Sequence, residues 1–180
     1  MTLEQLKIKV LTMIEEYNEN AELLTDDEDI SSKLNHVINQ IQNELARFKK
    51  IHAYKELSVV EGQEMALTDI DKNIYQLNTV RGVCVDTIAD RIIFEEEGTA
   101  KVYYFKYPTQ INDETDDDFV LELSTDVLEI MPYGIAGDLL KSDVSSNYGA
   151  VYSARYKEMI QQLDGRYGMG MVQLDNGSSI

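Results

Sequence analysis

The sequence contains no tryptophan, one cysteine, two prolines and two histidines among its 180 residues. The lone Cys84 excludes an internal disulfide and a cysteine-based metal site. In "VRGVCVD", among small and β-branched residues, it reads as a small buried hydrophobe. No apolar run approaches the ~20 residues that span a bilayer. The opening "MTLEQLKIKV" has the pattern of an amphipathic helix and lacks the charged-then-apolar layout of a signal peptide. The expected location is the cytoplasm in which the chain is made, with no membrane contact.

Basic residues are also scarce. Sixteen Lys and Arg stand against 33 Asp and Glu, a net charge of −17. From Tyr107 to Leu140 there is no Lys or Arg, whereas Asp113, Glu114, Asp116, Asp117, Asp118, Glu122, Asp126, Glu129 and Asp138 all fall there. Gripping DNA by neutralising phosphates requires Lys and Arg, so that function class is excluded. Solubility alone accounts for the excess equally well.

What is present is periodic. Leu3, Leu6, Val10, Met13, Ile14 and Tyr17 share one helical face over 3–18, and Thr2 with Gln5 has capping-box spacing. Thr25 and Glu28 form a second box that opens a helix to about Lys50, with Ile30, Leu34, Val37, Ile38, Ile41, Leu45 and Phe48 on its stripe. Arg47, Lys49 and Lys50 suit its negative end. These two helices are expected to pair antiparallel. The period then changes: "KELSVVEGQEMAL" reads as a hairpin about Glu61-Gly62, and "RIIFEEEGTAKVYYFKYP" as a second. Val102, Tyr104 and Lys106 alternate with Tyr103, Phe105 and Tyr107. "TDIDKNIYQL" has room for a helical turn, "TVRGVCVD" reads as a strand and "FVLEL" as a short one. Helix returns at Ser124. A last helix from about Ser146 stacks Tyr148, Val151, Tyr152, Tyr156, Met159, Ile160 and Leu163, and closes at Asp164-Gly165.

The fold class expected is α+β: an antiparallel bundle of about four helices with an inserted small antiparallel β module and a flexible C-terminal tail. The organisation is a helix pair in 1–51, the β module in 52–123, a second helix pair in 124–164 and the tail in 165–180.

Catalytic signals are weak. His36 and His52 lack a carboxylate or nucleophile at a recognised spacing, which favours surface or junction roles. "NDETDDD" has no glycine at the sixth position of an EF-hand loop and reads as a solvated loop. "GRYGMG" follows a helix and lacks the Lys-Ser/Thr ending of a phosphate loop. "VYYFKY" reads as sheet core and interface, since base-stacking platforms come with basic grooves. No metal, cofactor or catalytic residue is expected, and an enzyme is the weaker class.

The pieces together resemble the head–tail connector (adaptor) proteins of tailed bacteriophages. The segments that carry the likeness are "LNHVINQIQNELARF", "VVEGQEMALTDID", "VYYFKYPTQI", an acidic loop before a short strand, "IMPYGIAGDLLKSD" and "NYGAVYSARYKEMIQQL". They appear in that order over residues 3–164. The resemblance implies a structural virion protein at the head–tail neck. It would form a ring, commonly of twelve subunits in the family, below the portal protein. The ring extends the DNA channel, binds no DNA sequence and offers a platform to tail proteins. The segment after Gly165 would then meet the portal through Arg166, Tyr167, Met169, Met171, Val172 and Leu174, and Asp116, Asp117 and Asp118 would face the channel. The alternative class is an acidic soluble partner-binding or regulatory module without catalysis.

"MPYGIAGDLLKSD" places Pro132, Gly134 and Gly137 inside an otherwise helical stretch. Pro132 fits the first turn of a helix, with a bend at Met131. Gly134 and Gly137 share one side, which is either packed within the subunit or left bare for a neighbouring one.

Overall fold

The computed structural model describes residues 1–14, 28–142 and 147–167, with side chains at 1–14, 33–141 and 147–163. The chain is α+β. Its longer helices are α1 (Leu3–Met13), α2 (Glu28–Phe48), α5 (Met131–Leu139) and α6 (Tyr148–Tyr167). Single-turn helices α3 (Leu67–Ile70) and α4 (Thr125–Leu128) interrupt the connections. The strands are β1 (Ile51–Val59), β2 (Glu64–Ala66), β3 (Ile74–Arg81), β4 (Val85–Ile88), β5 (Arg91–Phe94) and β6 (Gly98–Lys106).

The Thr2–Gln5 capping box is formed, each side chain bonding the other's backbone N–H. The Thr25–Glu28 box and Tyr17 lie outside the described residues or side chains. The expected antiparallel pairing of α1 with α2 is not the arrangement adopted. Instead α5 is central, packed on α1, α2 and α6. The reason is composition: Met131, Pro132, Gly134, Ile135, Ala136 and Gly137 are all buried, so α5 is apolar nearly all round. Such a helix has to be covered on several sides at once. The result is a helical layer built around α5 and not a regular four-helix bundle. Its core joins Leu3, Leu6 and Val10 of α1 to Ile38, Ile41 and Leu45 of α2, Ile135 of α5 and Ile160 of α6.

Two antiparallel three-stranded sheets follow, ordered β1-β6-β3 and β2-β5-β4. Val59, Ile92, Phe94, Ala100, Val102 and Tyr104 form the one core between them. Both expected hairpins are therefore corrected. The Glu61-Gly62 turn exists, with Gly62 at φ +75°. However, β1 pairs with β6 and β2 with β5, so the two arms enter different sheets. The arms of "RIIFEEEGTAKVYYFKYP" likewise part, β5 to one sheet and β6 to the other. Two small sheets can bury an apolar face only against each other, so tight turns here act as corners. "TVRGVCVD" is not one strand either. It breaks at Gly82 (φ +98°), where a Cβ would collide with the Thr99 carbonyl, and the chain changes sheet. The local hairpin is β4–β5, closed by Ala89-Asp90 with Ala89 at φ 55°.

"FVLEL" pairs only at Val120, by a single bridge to Thr2. The last helix runs past Asp164-Gly165 to Tyr167, so the expected closure at Gly165 comes two residues early. Tyr148 and Val151 of its stripe are exposed, while Tyr156, Ile160 and Leu163 are buried.

Candidate functional site

The outer face of the β1-β6-β3 sheet collects aromatic rings and cations. Register does this: β1 pairs with β6 so that His52 lies opposite Phe105 and Tyr54 opposite Tyr103. On the other side, β3 sets Thr79 against Tyr103 and Arg81 against Lys101. Bulges in β3 bring Tyr75 beside both Phe105 and Tyr107, at 6.5 and 4.5 Å between centroids. His52 meets Phe105 edge-on at 4.8 Å, and Tyr54 meets Tyr103 at 5.7 Å.

Three cations lie over these rings. Lys50 Nζ is 4.3 Å from the centroid of Phe105, Arg47 5.6 Å from that of Tyr107 and Arg81 5.5 Å from that of Tyr103. The ring quadrupole favours a cation above its face. Arg47 also donates through Nε and Nη2 to Tyr107 Oη, at 3.0 and 2.8 Å, and Lys50 donates to Gln76 Oε1 at 2.9 Å. The last turn of α2 supplies Arg47 and the short connection to β1 supplies Lys50, so the segment that joins helix to sheet also charges the sheet face. Lys101 is neutralised by Glu56 at 2.7 Å. No carboxylate pairs with Arg47, Lys50 or Arg81 among the described residues.

The stretch without Lys or Arg receives its cations from elsewhere. Lys7 reaches Asp117 at 3.0 Å, Lys49 Asp126 at 2.6 Å and Lys106 Glu122 at 2.7 Å. Asp117 is thus a bridged carboxylate, whereas Asp116 and Asp118 are exposed without such a partner. The loop is held to the start of α1, where Leu3 and Glu4 N–H donate to the Phe119 and Asp117 carbonyls at 2.9 and 3.0 Å. Lys49 holds the Asp126 carboxyl down at about 2.

Pro132 sits in the first turn of α5, which starts at Met131 two residues after α4 ends. Gly134 and Gly137 face α6 of the same chain. A Cβ on Gly134 would stand 2.8 Å from the Tyr156 ring, and one on Gly137 2.6 Å from Ser153 Oγ. That side is therefore filled internally and is not a bare face. Beside it, α2 and α6 flank a cleft of about 590 Å³ lined by Ile41, Glu44, Phe48, Tyr156, Lys157 and Ile160. Burial, reinforced by the Glu44 carboxylate, pushes the Tyr156 phenol well above its ordinary value.

Arg166 and Tyr167 lie in the last turn of α6, with side chains outside the described set, and Met169, Met171, Val172 and Leu174 lie outside the described residues. His36 and His52 are exposed. Cys84 is exposed, not buried as expected, because the break at Gly82 turns its segment out of the core. A hydrogen bond with Glu96 raises its thiol pKa. Among the described residues, no three of His, Cys, Asp and Glu converge to hold a metal ion. Among the described residues, no helix is long and apolar enough to cross a membrane.

Sequence reasoning found the alternating rings of β6 but missed their cations. Only strand register and the docking of α2 bring Lys50, Arg47 and Arg81 to them. The chain matches no protein-family model and no curated protein.

Proposed function

We propose that this chain is a structural head–tail connector of a tailed bacteriophage, forming a ring below the portal through which DNA passes. The supporting observation is a pair of unlike surface patches: Arg47, Lys50 and Arg81 lie over aromatic rings on one sheet face, and Asp116 and Asp118 stand exposed on a separate loop with no cation among the described residues. A subunit with two unlike, complementary surfaces associates head to tail, the arrangement that closes into rings. Asp116 and Asp118 are the carboxylates assigned to the channel, where they repel duplex phosphates and leave no sticking point. The rings and cations of the sheet face belong to contacts between proteins. The segment from Arg166 to Leu174 is assigned to the portal, and the opposite flank to tail proteins.

The test is electron microscopy of the chain mixed with the portal protein of the same virus. A ring seated coaxially on the portal is expected. A chain that stays separate from the portal at all ratios overturns the reading. In that outcome the second reading, an acidic partner-binding module using the apolar cleft between α2 and α6, is the one to pursue.

A further inference from the structure

The β module carries a cationic face and an acidic turn. Arg47 and Lys50 lie at the helix-proximal end of that face, and Arg81 lies on it opposite Lys101 of β6, nearer the far end of the module. Its far end carries the turn Glu95-Glu96-Glu97 between β5 and β6, all three exposed. Glu96 accepts the Cys84 N–H at 3.3 Å. Glu95 and Glu97 have no cation among the described residues. The β1–β6 ribbon separates the two ends, since it pairs Ile51 with Lys106 at one end and Val59 with Gly98 at the other. Nine residues of strand span roughly 27–30 Å, so the turn cannot reach Lys50 or Arg47 of its own chain.

We infer that the Glu95–Glu97 turn of one copy docks on the Arg47–Lys50–Arg81 aromatic face of a second copy. This assignment rests on the connector reading and names the contact that would build its ring. Three features of the face favour an acidic protein segment over a nucleic acid. Phe105 is already buried beneath Lys50 and His52, Tyr107 lies under Arg47 and Tyr103 under Arg81. Rings capped in this way are not open to stacking bases, which need bare π-faces. What remains on offer is cationic charge around the 62% exposed Tyr54. The complementary anion is on the chain itself. At net charge −17, copies repel one another on average, and a cationic patch that meets unpaired carboxylates offsets that repulsion locally. The contact joins unlike surfaces, so it propagates from copy to copy and closes into a ring when the rotation permits.

The experiment uses two neutralised full-length variants. Lys50→Gln with Arg81→Gln removes the face and keeps the turn; Glu95→Gln with Glu97→Gln removes the turn and keeps the face. All four residues are exposed, so both variants should fold, which circular dichroism checks. Analytical ultracentrifugation then reads assembly. The wild type is expected to associate, with affinity falling as salt rises. Each variant alone should associate at least ~10-fold more weakly, the scale of losing close charge pairs at an interface. An equimolar mixture should give one-to-one dimers and nothing larger, because only one intact contact exists between the two.

Association undiminished in both variants overturns this contact while leaving the connector reading standing. A wild type that stays monomeric, with no dimer in the mixture, overturns it too. A single-stranded oligonucleotide that binds the wild type and not the face variant overturns it in favour of nucleic acid. If the mixed dimer forms but the portal recruits no copies, the contact stands and the connector reading fails.

Discussion

Asn39 holds both backbone groups of Ile111. Its Nδ2 donates to the Ile111 carbonyl at 2.7 Å, and its Oδ1 accepts the Ile111 N–H at 2.8 Å. Gln42, one helical turn on and only 1% exposed, donates to Asn39 Oδ1 at 2.9 Å and to the Thr109 carbonyl at 3.0 Å. Through these bonds α2 anchors the start of the acidic loop as a neighbouring strand would.

Asn39→Ala leaves both Ile111 backbone groups without their partner and removes one of the two acceptors of Gln42. An unmade buried hydrogen bond costs about 1–3 kcal/mol, so urea denaturation should show a loss of ~2–3 kcal/mol. Asn39→Asp keeps the acceptor and loses the donor, and should fall between alanine and wild type.

Gly137→Ala is expected to destabilise by ~1–3 kcal/mol, because its Cβ would stand 2.6 Å from Ser153 Oγ and 3.0 Å from Ser153 N. Adding Ser153→Ala should recover part of that loss, since the backbone nitrogen stays in place. Gly137→Leu should fail to give folded protein by circular dichroism. A well-folded leucine variant would contradict the close packing of α5 on α6.

The Lys49–Asp126 pair predicts an acid limb. Lys49 holds the folded-state pKa of Asp126 at about 2, below its ordinary value. A depressed carboxylate contributes stability that is present above about pH 4 and lost as pH falls toward 2. In Asp126→Asn that part of the acid dependence should disappear from urea midpoints measured between pH 5 and 2. Both side chains are about one-third exposed, so the effect is screened by salt.

Tyr104 predicts the opposite limb. Burial, with a hydrogen bond from its hydroxyl to Asp71 Oδ2 at 3.0 Å, pushes its pKa up to about 12. A raised pKa of this kind contributes stability present below pH ~10 and lost as pH climbs toward the folded value. Tyr104→Phe should be less stable at neutral pH and show a shallower decline above pH 10. An unchanged alkaline slope would count against the assignment.

Local patterns in the sequence were enough for several features. The Thr2–Gln5 box, the stripe of α1 from Leu3 to Val10, that of α2 from Leu34 to Leu45 (Phe48, also expected on it, is exposed), the alternation of β6 and the helix start at Pro132 each depend on residues a few positions apart. Helical and strand periods and cap chemistry act over that range. The α+β class follows from them, as does the expectation that Asp116 and Asp118 are solvated.

What the tertiary structure decided depends on which distant surfaces meet. Turns at Glu61-Gly62 and Glu95–Glu97 look like hairpins locally, yet they become corners because two sheets must bury Phe94 and Val102 against each other. The pairing of α1 with α2 gave way because α5 is apolar nearly all round. Cys84 turned outward at a strand break that only the Gly82–Thr99 approach imposes. The cationic aromatic face could not be read in the sequence for the same reason. Its rings come from β1, β3, β6 and the residue after β6, and its cations from β3, the last turn of α2 and the α2–β1 connection, so only the packing of α2 on the sheet brings them together.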